Sequence, residues 1–141
     1  MNCRPFLLTF ALISFSCVPC LRAADSDTPL EKQMHILAHG TKQLAIQVAD
    51  PAQQQSTITL IESLKVAITT SKDLEPKKTA TIAAADKEKF LTDYRSQLDK
   101  LTDAYNQIET AVKAAQYDQA MSLLSTIGPI KKEGHKQFKK D

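Results

Sequence analysis

From residue 90 to residue 112 the apolar positions step by four and three without interruption: Phe90, Tyr94, Leu98, Leu101, Tyr105, Ile108 and Val112. Such a stripe stays on one side of a coil with 3.6 residues per turn, whereas a strand would scatter it over both faces. It predicts one helix over roughly residues 86–115. A helix with a single apolar face cannot bury that face alone, so the rest of the chain must supply matching stripes.

It does. Thr28-Pro29-Leu30-Glu31 is a helix start, with a Thr cap, Pro at the first helical position and Glu three residues after the cap. Leu30, Met34, Leu37, Thr41, Leu44 and Val48 then continue at helical steps. Asp50-Pro51 repeats the signature, ending helix 1 and starting helix 2, whose face carries Ile58, Ile61, Leu64, Ala67 and Ile68. Helix 2 is rich in β-branched residues, and its period rather than its propensity decides for helix. The longest connection, Leu74 to Ala85, holds Pro76 and a Lys-Lys-Thr run, and its Ala83-Ala84-Ala85 end has helical composition. After a break at Gln116-Tyr117, helix 4 presents Ala120, Leu123, Leu124 and Ile127, with Asp118 near its positive end. Pro129 must bend or break that helix before the pattern resumes through Ile130, Gly134, His135 and Phe138.

Ala, Lys and Leu are the commonest residues, the 141 residues include three glycines, and no alternating strand pattern occurs. The short breaks between helices 1 and 2 and between 3 and 4 make antiparallel neighbours. The expected fold is all-α, an antiparallel up-down-up-down four-helix bundle.

The first residues lie apart from that fold. Arg4, the apolar run from Pro5 to Val18 and Ala23-Ala24 before an acidic stretch form a secretory signal peptide over residues 1–23, which leaves a domain of residues 24–141. The segment is too short for a stable membrane anchor. Ser14-Phe15-Ser16 is a poor approach to a lipidated Cys17. Cutting after Ala23 removes Arg4 and Arg22, so 18 basic residues become 16 and equal the 16 acidic ones. That balance gives no support to nucleic-acid binding. Cys3, Cys17 and Cys20 leave too, so the exported chain has no disulfide, no thiolate metal site and no Cys-x-x-Cys-His for covalent haem. There is no nucleophile elbow, phosphate-binding glycine loop or His-Glu-x-x-His, and the chain is not expected to be an enzyme.

In the expected topology helix 1 begins and the chain ends at one end of the bundle. Met34 and His135 each lie within about 10 Å of that end, so a thioether and an imidazole can face each other at one level. Those are the two axial ligands of a six-coordinate Met/His cytochrome iron. Phe90, Tyr94 and Leu98 supply apolar walls at the same end. Gly134 removes bulk beside His135, while Lys131, Lys132, Lys136, Lys139 and Lys140 can neutralise propionates. Each residue also has a plainer role: Met34 as core packing, His135 as a solvated helix-end histidine, and the lysines as a charged face. His35 and His39, four apart, could share a metal ion but have no third ligand nearby, so a solvated pair is expected.

Leu30-Glu31-x-x-Met34 and Gly134-His135-Lys136-Gln137-Phe138 resemble the soluble cytochrome b562 family, over essentially the whole exported chain. The resemblance implies a periplasmic protein holding haem b (iron protoporphyrin IX) non-covalently, with Met34 and His135 as axial ligands and Tyr94 and Leu98 packing on the ring. Lys131 and Lys139 stand where the family's best-known members carry arginines. The implied function is electron transfer by a monomer to an unknown redox partner protein. The alternative is a haem-free bundle serving as a binding or envelope-stress module.

Overall fold

Thr28 sets the first helix before any packing is considered. Its hydroxyl accepts the Glu31 N–H at 3.3 Å, and its own N–H donates to Glu31 Oε2 at 2.7 Å, which satisfies two orphan donors reciprocally. With Pro29 at the first helical position, α1 runs Pro29–Gln47. The structure, a computed structural model, describes residues 27–139; the expected signal peptide over 1–23 lies outside the described residues.

Asp50 Oδ1 accepts from the Ala52 N–H at 3.0 Å and caps a 3₁₀ turn over Pro51–Gln53, so α2 begins only at Gln54 and runs Gln54–Lys72. In α2 Thr59, Thr69 and Thr70 return their hydroxyls to the carbonyl four residues back, which satisfies these groups within the helix. A second 3₁₀ turn, Lys77–Thr81, lies in the long connection. Ala83–Ala85 is not helical; α3 starts after it and spans Lys87–Lys113.

At the end of α3 the Gln116 N–H donates to Ala111 O at 2.8 Å and the Ala115 N–H to Val112 O at 3.0 Å. This is the paired closure of a Schellman turn, with Ala115 in the left-handed region at φ 56°. Two further helices follow, α4 (Tyr117–Leu124) and α5 (Ile127–Phe138). The break falls at Ser125-Thr126, ahead of the expected position. Pro129 then stands third in α5, in the first turn, where a backbone N–H has no helical partner to lose. The proline therefore opens α5 rather than bending it, and the fourth helix comes in two pieces.

Among the described residues there is no strand, and no helix is long and apolar enough to cross a membrane. Leu44, Ile61, Leu64, Ile68 and Ile108 are fully buried at the centre, each contributing about 1.5–3 kcal/mol by leaving water. Cross-helix bonds fix the register. Gln54 at the start of α2 donates to Val112 O at 2.7 Å, Lys65 pairs with Glu109, and Tyr94 OH donates to Ser71 O at 3.0 Å. Rising along α2 therefore means falling along α3. The same inversion links α3 to α5, where Phe90 meets Phe138 and Gln97 meets Ile130.

Candidate functional site

The closely packed helix pairs are α1–α2, α2–α3, α3–α4 and α3–α5. Between α1 and α5, at the end where Thr28 starts the bundle, a cleft of about 440 Å³ opens, within the size range of cofactor sites. Leu30, Met34 and Leu37 line it from α1, Tyr94, Leu98, Leu101 and Tyr105 from α3, and Ile130, Lys131, Gly134 and His135 from α5. Phe138 and Lys139 close the α5 side, and Pro76 and Lys77 of the connection reach the mouth.

Of the residues expected at a site, Met34, His135, Tyr94, Leu98, Lys131 and Lys139 all line this cleft. Met34 is half-buried against the core, and His135 is exposed on the α5 wall. Phe90 is not among the lining residues. Its ring packs edge-on against Phe138, centroids 5.3 Å apart, because the end of α5 covers the first turn of α3. Phe138 thus takes the wall position expected of Phe90. Lys132 and Lys136 are exposed and do not line the cleft, and Lys140 lies outside the described residues.

The chemistry of the lining divides by depth. Tyr105 OH and Thr41 Oγ1 are 2.8 Å apart, and Tyr94 OH is committed to Ser71 O. Burial pushes both phenols up, Tyr94 to about 12, so both remain neutral and offer ring surface. His135 is exposed as a residue, yet the partial cover of its ring on the cleft wall pushes the imidazole below its ordinary value, and the Lys139 and Lys131 charges push the same way. The ring is thereby kept in its neutral form, the form that binds metal. At the mouth Lys77 pairs with Glu31 at 2.8 Å. That bond, followed by those from Thr28, holds the Glu31 carboxyl down at about 2. Lys78 Nζ donates to Gln137 O at 2.8 Å, so adjacent lysines tie the connection to the start of α1 and the end of α5.

Sequence reasoning missed Gln97, Phe138 and Lys77 as lining residues. Gln97 does lie at helical spacing from Tyr94 and Leu101, which is a usable signal; Lys77 has none, since its place depends on how the connection folds. The space left by Gly134 is taken by Gln97, whose Cγ would stand 3.3 Å from an added Cβ. His35 lies 3.6 Å from Asp27, and among the described residues no three His, Cys, Asp or Glu side chains gather as a metal site. A second concavity at Ala115–Gln119 brings no ligating pair together.

The donor set suits an iron porphyrin. A soft thioether comes from one wall and a neutral imidazole from the other, the surfaces between are aliphatic and aromatic, and cationic side chains stand at the rim for an anionic edge.

The model of the family described as Cytochrome b562 matches residues 29–139, most of the chain. The searches of curated proteins and of solved structures each give no match.

Proposed function

The chain belongs to the cytochrome b562 family, and from that premise we propose that it binds one b-type haem non-covalently and works as an electron carrier. The observation that carries the proposal is the arrival of Met34 and His135 from different helices on the walls of one apolar cleft.

Met34 and His135 are the residues that would hold the iron. The depressed proton affinity of His135 leaves its ring lone pair available at neutral pH. Leu37, Leu98 and Leu101 exclude water from the inner wall, while Lys131 and Lys139 offer point charges to carboxylates at the rim. A bound haem supplies one-electron Fe(II)/Fe(III) chemistry. Were Met34 and His135 both to hold the iron, no coordination site would be left for a substrate, which would favour electron transfer over catalysis.

The same reading takes the bundle as up-down-up-down, in agreement with the inverted register of α2 on α3 and of α3 on α5. It takes the protein as a periplasmic monomer, exported by residues 1–23 and serving a redox partner protein. The deciding experiment is an absorption spectrum of the exported protein, oxidised and then reduced with dithionite. Sharp low-spin α and β bands are expected on reduction. A colourless protein that also takes up no added haemin would refute the proposal and favour a haem-free binding module.

A further inference from the structure

Two residues beside the cleft are locally unfavourable choices. Gln97 places an amide at 6% exposure in a wall that is otherwise largely apolar, and Gly134 interrupts the middle of a twelve-residue helix, where glycine is disfavoured. Each explains the other. Gln97 Nε2 donates to Ile130 O at 2.8 Å, which satisfies the amide. Its Cγ stands 3.3 Å from where a Cβ at position 134 would lie, a tight contact that an added side chain relieves only by shifting Gln97 by a few tenths of an ångström.

Ile130, Gly134 and Phe138 are spaced four apart and form the stripe of α5 that meets α3, Phe138 through its ring contacts with Phe90 and Tyr94. The N-terminal end of α5 is anchored by Ile127, which is buried in the core, although Thr126 makes no side-chain cap. Its last turn is held by Lys78 on Gln137 O and by the Phe138 rings. In the turns between, the Gln97 bond to Ile130 O adds a directional contact to the packing of the Ile130 side chain on the core. His135 follows Gly134 by one residue and so projects about 100° around the axis from this stripe. Any roll of α5 against α3 swings the imidazole through the same angle.

We propose that Gln97 is a positioning residue for His135: it bolts the α5 backbone at Ile130, fills the space that Gly134 leaves, and so fixes the roll of α5 that aims the imidazole into the cleft. The inference rests on the reading of His135 as the ligand that this cleft presents.

The test uses Gln97→Met, which keeps length but cannot donate, and Gly134→Ala, which favours the helix while displacing Gln97. In the haem-free protein the ring-proton resonances of His135 are followed by NMR, with His39 on α1 as the internal control, since His35 itself lines the cleft. In the haemin-loaded protein the low-spin fraction and the haemin dissociation constant are measured. Both variants are expected to keep their helical circular dichroism, to displace the His135 resonances while those of His39 stay, and to bind haemin about ten to a hundred times more weakly with mixed spin. Unmoved His135 resonances in both variants, with haemin bound as by the parent, would overturn the positioning role and leave the haem reading intact. Displaced His135 resonances in a protein whose parent takes up no haemin would uphold the role of Gln97 and refute the haem reading instead.

Discussion

A Cβ built on Gly40 of α1 would stand 2.5 Å from Leu64 Cδ2 and 3.3 Å from Leu64 Cγ on α2. Leu64 is fully buried and has no room to retreat, so this glycine sets how closely the two helices approach. Helix propensity favours alanine at such a site by about 1 kcal/mol, but forcing a methyl into a packed core costs about 1–3 kcal/mol. Gly40→Ala is therefore expected to lower the urea midpoint at an unchanged slope. A raised midpoint would show that α1 and α2 part without penalty.

Ala115 presents the opposite case. It holds the left-handed conformation that closes α3, at φ 56°, which costs an L-residue about 1–2 kcal/mol. Ala115→Gly is expected to stabilise the protein by about 1 kcal/mol, read as a rise in Tm. No change would mean that the turn relaxes in solution.

Three carboxylates should set the acid limb of stability, Glu109, Glu31 and Asp50, the last lowered by its bonds from the Gln53 amide and the Ala52 N–H. Burial alone would raise the Glu109 carboxyl, but the Lys113 and Lys65 ammoniums that donate to it bring it below its ordinary 4.5. Glu31 is lowered further, to about 2, first by Lys77. For a depressed carboxylate the stabilisation is full above the ordinary value and is lost as pH falls through the folded one. Acid unfolding should therefore steepen below about pH 4.5, and Lys77→Met should move the Glu31 titration, followed by NMR, back toward 4.5. A Glu31 titration that stays put would remove Lys77 as the dominant cause.

His135 works with the other sign of charge. Burial, then Lys139 and Lys131, disfavour its protonated form in the folded state. The unfolded chain therefore takes up the proton first as pH falls below 6.5, and the haem-free protein loses stability from there down to the folded value. Above 6.5 this group contributes no pH dependence. Lys139→Gln should return the imidazole only part of the way, since burial is the larger cause. A full return on that single change would mean that charge outweighs burial.

Met34→Ala removes the thioether while leaving His135 in place. With haemin bound, the variant is expected to give a high-spin or ligand-exchanged spectrum and weaker retention. A spectrum identical to the parent's would take Met34 out of the site.

The helices were legible in the sequence because their causes are local. The Thr28–Glu31 capping box forms within one turn, and the Phe90 to Val112 stripe predicts α3 to within two residues at either end. The period of a helix is visible in the chain, and so is the residue that ends it. Met34 and His135 were placed at one end of the bundle by counting residues, and both do line one cleft there.

What lay beyond the sequence depends on how each helix rolls and how the connections lie. Phe90 and Phe138 were equivalent as apolar residues, and only the docking of α5 onto α3 put Phe138 on the wall and Phe90 behind it. Pro129 announced a break, but its side was decided by the turn at Ser125-Thr126, which left the proline in the one part of α5 where it takes no bond away. Gln97 gained its place because Ile130 O and the space over Gly134 came within its reach across the helix interface. Local patterns specify which segments coil and which face is apolar. The contacts that shape the cleft join residues more than twenty positions apart, on different helices, so they exist only once the helices have packed.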